Sequence, residues 1–136
     1  MTFEIHIRQG IGELKFDMPV EEVAAFLGDA DDVETIDNAI DETTTVLRYD
    51  DGLTLFFEEY NPILSCIDIA NHKTTLFDKK IFDMSEKEIV HMMVDNKYFE
   101  QDVDNEAWGE RRVSFNEGNI DFFFEKGRLT SVIIGK

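Results

Sequence analysis

The sequence predicts an α+β protein in which two tandem helix–β–β–β repeats form one antiparallel sheet with the helices on one face. The 136 residues suit one domain, or two small units that share a core. Comparing each residue with the one 66 positions later gives twelve identities between Phe16 and Ile69, and each copy combines a helical spacing with three short β runs. We therefore predict a first repeat with a leading strand at residues 1–70 (the first half) and a second repeat at residues 71–136 (the second half).

The internal repeat is clearest at the tripeptide Phe-Asp-Met, which occurs at residues 16–18 and again at residues 82–84. The same offset pairs Gly52 with Gly118 far downstream. Identities that keep one register through a helix, a connection and several strands are typical of a duplicated unit. We interpret the chain as a tandem pair, because there are two copies and the period exceeds that of common solenoids.

A helix is expected directly after each Phe-Asp-Met. Pro19 suits the start of the first helix, and Gly28 suits its end. In the second copy, Ser85 is a good N-cap, and Glu88 lies three residues later, as a capping box requires. The apolar faces consist of Val20, Val23, Phe26 and Leu27 in the first helix and of Ile89, Met92 and Met93 in the second.

The predicted strands follow the helices after polar connections at residues 29–42 and 95–108. A leading strand, FEIHIR, alternates apolar and polar residues. The three β runs read TTVLRY, LTLFFEE and ILSCIDI in the first copy, and RRVSF, IDFFFE and LTSVII in the second. Glycine-containing or proline-containing turns separate the runs, as in β meanders.

Each middle β run contains adjacent phenylalanines, which point to opposite faces of a sheet. With the offset of 66, Phe57 and Phe123 share one face, and Phe56 and Phe122 share the other. We expect one pair to pack under the helices and Phe57 and Phe123 to lie on the open face. A partner, the leading strand or a second subunit could cover that open face.

The net charge is −17, and it is concentrated in the first half. Residues 1–70 hold three basic and 17 acidic side chains, a net charge of −14, whereas residues 71–136 hold ten basic and 13 acidic ones, a net charge of −3. Such a field repels nucleic acids and anionic membranes and attracts basic proteins. We therefore expect no nucleic-acid or membrane partner. The acidic stretch is either a solvated connection or a docking surface for a basic protein.

The residues that we predict to bind a partner combine the acidic stretch, the first hairpin tip, the open-face phenylalanines and a tryptophan at the end of the second polar connection. They are Asp29, Asp31, Asp32, Glu34, Asp37, Asp50, Asp51, Phe57, Phe123 and Trp108. Aromatic side chains beside a charged rim are common interface anchors, although Trp108 could instead cover the end of the sheet. Tyr49 could serve either as an anchor beside the turn or as part of the core.

Catalytic and metal-binding motifs are not found in the sequence. Cys66 is the single cysteine, which excludes an intrachain disulfide. His6, His72 and His91 occur in no metal-binding or catalytic spacing, and the acidic runs at residues 29 and 102 lack the glycine and glutamate of a calcium loop. We expect a protein that is not an enzyme and that uses no cofactor and no metal.

The N-terminus does not read as a targeting segment. MTFEIHIRQG lacks the basic and then apolar regions of a signal peptide. No apolar run approaches the roughly 18 residues that a membrane span needs. We therefore expect a cytoplasmic protein.

Two stretches resemble a known family. FDMPVEEVAAFLG at residues 16–28 and YDDGLTLFFEE at residues 49–59 resemble the tandem-repeat fold of the β-lactamase inhibitor protein, whose single units are similar to small outer-membrane assembly lipoproteins. The resemblance covers nearly the whole chain at the level of architecture. Asp17 and Asp83 replace the usual glycine, and one cysteine cannot form the disulfides of the secreted inhibitors.

The resemblance implies a non-enzymatic bacterial protein that binds another protein through a concave sheet or a hairpin tip. Small acidic immunity proteins of toxin–immunity systems have a similar character. The first functional hypothesis is thus an inhibitor-type or immunity-type module that docks a basic protein. The alternative is a structural or self-associating domain, and the chain would be a monomer or a homodimer accordingly.

Overall fold

The computed structural model describes residues 1–38, 42–58, 62–106 and 108–136, and the side chains at positions 37, 38, 42 and 43 lie outside the described part. Of the described residues, 47% are in strands and 19% are helical. The strands are β1 (Ile5–His6), β2 (Gly10–Ile11), β3 (Leu14–Lys15), β4 (Asp32–Asn38), β5 (Glu42–Tyr49), β6 (Leu53–Phe57), β7 (Leu64–Ile69), β8 (Thr75–Leu76), β9 (Lys79–Lys80), β10 (Asp102–Asn105), β11 (Glu110–Phe115), β12 (Ile120–Glu125) and β13 (Arg128–Gly135). The α-helices are α1 (Val20–Leu27) and α2 (Glu86–Asp95), and two short 3-10 helices span Ile81–Asp83 and Asn116–Gly118.

The main sheet has eight antiparallel strands in the order β10-β11-β12-β13-β7-β6-β5-β4. Four consecutive strands come from each half, and the pairing of β13 with β7 joins the two sets in the centre. β4 and β10 are the edge strands. Two small sheets, β1-β2-β3 and β8-β9, lie outside the main sheet.

One face of the main sheet carries the hydrophobic core, and we call it the covered face. Leucine, isoleucine, valine and phenylalanine side chains from β5, β6, β7, β11, β12 and β13 form one cluster there. Val23 of α1 and Ile89, Met92 and Met93 of α2 join this cluster, so both helices pack on the same face. Burial of these apolar side chains is the main stabilising contribution to the fold. The opposite face of the sheet is called the open face below.

The prediction of an α+β fold built from two helix–β–β–β repeats was wrong, because the structure is mostly β and holds a fourth strand after each helix. β4 and β10 occupy the segments that the sequence predicted as polar connections. Both strands are rich in aspartate, which is depleted in strands in general and so conceals the pattern. At the edge of a sheet, however, charged side chains are common because they prevent pairing with other chains.

The predicted leading strand is also shorter than expected and does not join the main sheet. Only Ile5–His6 is a strand, and it pairs with β2 in the small sheet. The chain turns immediately afterwards, with a hydrogen bond of 2.9 Å from the amide of Gln9 to the carbonyl of His6 and a φ of 62° at Arg8. This turn ends the alternating segment before it can pair further.

The two halves correspond, but not at one constant offset. Tyr49 and Phe115 end equivalent strands 66 positions apart. The second hairpin then contains one more residue, Asn119, in the left-handed conformation. Beyond this residue, the core-facing pattern of β12 matches that of β6 at an offset of 67, so that Phe124 corresponds to Phe57.

The extra residue corrects the prediction that Phe57 and Phe123 share the open face, because a shift of one residue moves a side chain to the other face of a sheet. Phe57 is fully buried in the core, as are Phe122 and Phe124. Phe123 is half-buried on the open face, and its equivalent there is Phe56.

A β-bulge occurs at the equivalent position in each half. The pairing shifts between Phe56 and Phe57 in the first half and between Phe123 and Phe124 in the second. In each bulge a hydroxyl donates to the carbonyl of the preceding phenylalanine: Ser65 to Phe56 at 3.2 Å and Thr130 to Phe123 at 3.1 Å. The chain from Phe124 to Leu129 is two residues shorter than the chain from Phe57 to Leu64, so the offset in β13 is 65 and Leu129 occupies the position of Leu64.

The predicted N-terminus of α2 is confirmed. The Ser85 hydroxyl accepts a hydrogen bond from the Glu88 amide, and the Glu88 carboxylate accepts one from the Ser85 amide, which forms a capping box. α1 begins after Pro19, whose side chain forms no capping hydrogen bond, and ends at Gly28. None of the described helices is long and apolar enough to cross a membrane.

Candidate functional site

Most of the predicted acidic residues gather where β4 and β5 meet the end of α1, and we call this region the acidic edge. Its members are exposed, and they are Asp29, Asp31, Asp32, Glu34, Asp50 and Asp51. Asp37 belongs to β4, where it pairs with Thr43, but its side chain is outside the described part. The structure thus brings together residues that are up to 22 positions apart in sequence. They come from the loop after α1, from β4 and from the β5–β6 turn.

Tyr49 lies at the centre of the acidic edge. Its ring packs against the core, and its hydroxyl donates a hydrogen bond of 3.0 Å to the Gly28 carbonyl. Burial raises the pKa of the Tyr49 phenol, and the carboxylates of Asp29, Asp31 and Asp51 raise that pKa further. Three carboxylates of the acidic edge therefore lie close enough to the phenol to act on it.

Backbone contacts hold the acidic edge in place. The Asp31 carboxylate accepts a hydrogen bond of 2.7 Å from the Asp50 amide, so it ties the β5–β6 turn to the loop before β4. The Asp31 amide donates to the Arg48 carbonyl at 2.8 Å. These contacts fix the Asp31 carboxylate without neutralising it.

Arg48 is a cation within the acidic edge, and its charge is already engaged. One guanidinium nitrogen lies 3.6 Å from the Asp32 carboxylate and also pairs closely with Glu34. The hydrogen bond to Glu34 is the main reason that the pKa of Arg48 is raised. Among the described residues, Asp29, Asp31, Asp50 and Asp51 form no ion pair, so their charges face solvent.

Two large apolar side chains are exposed beside the acidic edge. Val33, between Asp32 and Glu34 on β4, is 62% exposed, and Phe26 in the last turn of α1 is 47% exposed. Val33 pairs with the core residue Leu47, so it points to the side of the sheet on which α1 packs. A group of carboxylates with apolar side chains next to it has the composition of a protein-interaction surface.

The open face contains a row of paired residues that crosses all eight strands. From β4 to β10, the row consists of Asp32, Arg48, Thr54, Asp68, Ile133, Asp121, Ser114 and Asp102. Asp68 and Ile133 lie at its centre, on the two strands that join the halves. Phe56 and Phe123 flank the row, and both are half-buried. The sequence did not predict that Phe56 lies on the open face, because no sequence pattern marks the inserted residue Asn119.

The environment of the open face perturbs two ionisable groups. Burial raises the pKa of the Cys66 thiol to about 11, with contributions from the charges of Asp68 and Asp121. Burial also raises the pKa of the Asp68 carboxyl, and the charge of Glu110 adds to this effect. A thiol with a raised pKa is a poor nucleophile at neutral pH. No ion-binding cluster of three or more His, Cys, Asp or Glu side chains occurs in the described part of the chain.

Trp108 and the acidic edge are far apart. Trp108 precedes β11, next to the edge strand β10, and it is 72% exposed. The acidic edge lies at the opposite end of the sheet, and seven steps of about 4.8 Å between strands place the two edges roughly 30 Å apart. Trp108, the buried Phe57 and the acidic edge therefore do not form one compact site.

The acidic edge and the open face are thus two surface regions of the described structure. Comparisons with models of protein families, with curated proteins and with solved structures found no match to the chain.

Proposed function

We propose that the chain is a non-catalytic protein-binding module, of the inhibitor or immunity type, that docks a basic protein through the acidic edge. The observation that carries the proposal is the gathering of exposed carboxylates around Tyr49 while Arg48, the cation beside them, is paired with Asp32 and Glu34. Lysine and arginine side chains of a partner would complement the carboxylates that face solvent.

The exposed apolar side chains supply the second part of an interface. Phe26 and Val33 together offer apolar surface that a partner can remove from water, at roughly 25 cal/mol for each Å². Charged groups at the rim of an interface mainly set the association rate and the choice of partner, whereas buried apolar contacts set how slowly it dissociates. The acidic edge with Phe26 and Val33 combines both kinds of group.

The uneven distribution of charge favours the same end of the molecule. The first half, to which the acidic edge belongs, carries −14 of the total −17. Electrostatic steering of this kind raises association rates by about tenfold or more, and salt weakens the effect.

The experiment is affinity capture from the native cells with the purified chain as bait, followed by binding measurements at increasing salt. We expect a protein of high isoelectric point, whose affinity falls at least about tenfold between 0.05 and 0.5 M NaCl, because the Debye length shortens from about 14 to about 4 Å. Recovery of acidic or neutral partners with binding that is independent of salt would refute the electrostatic part of the proposal.

A variant and a charge-matched control distinguish the effect of the acidic edge on binding from the effect of net charge. The variant replaces Asp29, Asp50 and Asp51 with asparagine and leaves Asp31, which accepts the hydrogen bond of the turn, unchanged. The control has the same net charge but replaces carboxylates of the second half, with the substitutions Asp78→Asn, Asp83→Asn and Glu125→Gln. We expect only the first variant to weaken binding substantially, and equal losses in both would mean that the acidic edge is not the docking surface.

A second candidate function is self-association through the open face, and the half-buried Phe56, Phe123 and Ile133 favour it. Light scattering after size exclusion distinguishes the two functions. A homodimer that dissociates when Phe56 and Phe123 are changed to alanine would support self-association. A monomer at high protein concentration would exclude it.

A further inference from the structure

The second half contains a groove between α2 and the β8–β9 hairpin with a volume of about 550 Å³. Its lining includes Phe77, Met84 and Met92, which are buried or half-buried and which we call the apolar floor, and the exposed Lys79, Lys80 and Lys87, which we call the rim. A volume in this range is typical of sites that hold small organic molecules. The groove is distinct from the acidic edge, which lies on the first half of the sheet.

The rim is locally positive although the chain as a whole is strongly acidic. All three lysines are exposed, and none of their ammonium groups forms an ion pair with a described residue. The lining also holds two carboxylates, Glu88 and Asp95, so the three lysines give it a formal charge of +1. Asp95 lies 3.3 Å from His91, and Glu88 accepts the hydrogen bond of the capping box.

This positive rim is specific to the second half. At the helix position that corresponds to Lys87, α1 carries Glu21. In a chain that holds 13 basic and 30 acidic residues, three cations around one apolar floor form a marked local exception. Charge complementarity therefore indicates an anion, and the apolar floor indicates an apolar body attached to it.

We propose that this groove binds a small amphipathic organic anion, a carboxylate on an apolar chain or ring. The carboxylate would lie between the lysine ammonium groups, which can follow its position because their side chains are long and flexible. The apolar body would lie on Phe77, Met84 and Met92. Methionine side chains adapt to ligands of different shape, so we expect a class of ligands and not one shape.

The test uses decanoate as the probe and the methionine methyl groups as reporters. In a chain labelled with ¹³C at the methionine methyl groups, decanoate should shift the NMR signals of Met84 and Met92 in a saturable manner. Met18, the equivalent of Met84 in the first half, should not move. With about twelve non-hydrogen atoms in the probe, we expect a dissociation constant on the order of 0.1–1 mM.

Two further probes isolate the role of charge. Decanol has the same apolar chain without the charge, and decyltrimethylammonium has the opposite charge, so both should bind at least about tenfold more weakly than decanoate. Equal binding of all three probes, or absent shifts at Met84 and Met92, would overturn the proposal.

A pair of variants with the same net charge completes the test. Lys79→Glu with Lys87→Glu places two negative charges at the rim, and we expect a loss of decanoate affinity of about tenfold or more. Lys73→Glu with Lys126→Glu changes the net charge equally but lies outside the groove lining, and we expect a change of less than about twofold. Equal losses in both pairs would show that the groove does not recognise the anion.

Discussion

Cys66 and Asp68 lie two residues apart on β7, and both face the side of the sheet that does not carry the core. Their raised pKa values have the same leading cause, since partial burial removes water that would otherwise stabilise the charged forms. The centre of the open face is thus a place where a charge is costly although the side chains are not fully enclosed. Each of the two groups gives a separate prediction.

The thiol of Cys66 should react slowly at neutral pH. With a pKa of about 11 instead of the ordinary 9.0, its thiolate fraction at pH 8 is about 100-fold lower. We expect the rate of alkylation by iodoacetamide to rise about tenfold for each pH unit up to pH 10. The chain unfolded in guanidinium serves as the control, with a rate that levels off near pH 9. The same plateau in the folded protein would contradict the prediction.

The raised pKa of the Asp68 carboxyl predicts that Asp68→Asn stabilises the protein by an amount that depends on pH. Because the folded state binds this proton more tightly than the unfolded chain, the wild type loses stability as the pH rises through the raised pKa. The variant avoids that loss, so it should melt at a higher temperature than the wild type at pH 7. The difference in melting temperature should disappear towards pH 3.8, which is the ordinary pKa of an aspartate carboxyl. Glu125→Gln, on an exposed residue, should show no such trend. A gain for Asp68→Asn that is constant from pH 4 to pH 7 would argue against the effect of burial.

At the scale of elements, the two helices differ at their N-termini although they occupy equivalent positions. α2 begins with the capping box of Ser85 and Glu88, whereas the side chain of Pro19 provides no hydrogen bond for α1. Unpaired amide groups at the start of a helix raise its free energy, and a capping side chain satisfies one or two of them. We therefore expect the start of α2 to be the better defined of the two.

Ser85→Ala should lower the free energy of unfolding by about 1 kcal/mol, because it leaves the Glu88 amide without its partner. Ser85→Thr is the matched control, since its hydroxyl can still accept this hydrogen bond. Denaturation in urea, followed by circular dichroism, measures both variants. Equal stability of the alanine and threonine variants would show that the cap does not stabilise the fold.

The sequence could predict some of the helices and strands and not others. The capping box and the two helices follow from local spacing, and the structure has them where the pattern places them. β4 was not predictable, because an edge strand needs few apolar residues, and Asp32–Asn38 has a composition that is typical of a loop. The face of Phe123 was not predictable from the ungapped repeat, because one inserted residue at Asn119 reverses it.

The candidate site was predictable only in part. The acidic residues at 29–34 and 50–51 could be found from charge density, and the structure brings them together around Tyr49. The pairing of Arg48 with Asp32 and Glu34 depends on cross-strand register, which the sequence did not reveal because β4 was not recognised. The lysines of the groove were not predictable as a site, because the strongly negative total charge conceals a local excess of positive charge.

For the whole molecule, the net charge of −17 opposes compactness, and the first half contributes most of the repulsion. Salt screens such repulsion, since the Debye length is about 10 Å at 0.1 M ionic strength. The carboxylates of the acidic edge without ion pairs should therefore cost stability at low salt. A protein is expected to keep charges that lower its stability where those charges serve recognition.

Replacing Asp29 and Asp51 with asparagine should raise the melting temperature at 10 mM NaCl, by an amount that corresponds to up to about 1 kcal/mol. The gain should shrink at 0.5 M NaCl, where the remaining repulsion is screened. Asp78→Asn with Glu125→Gln, in the less acidic half, is the control and should give a smaller gain. Calorimetry at both salt concentrations measures the difference, and a gain that does not depend on salt would mean that repulsion is not its cause.

The position of β13 in the centre of the sheet has a consequence for biosynthesis. β7 is complete at Ile69, and its neighbour on one side, β6, is already made. Its neighbour on the other side, β13, is translated about 60 residues later. At roughly 5–20 residues per second, the ribosome needs about 3–12 s to supply that neighbour. Throughout this interval the backbone of β7 has an unpaired edge from Cys66 to Ile69, which a nascent chain on an adjacent ribosome could occupy. Slow codons between positions 70 and 128 would lengthen the exposure and lower the yield of folded protein.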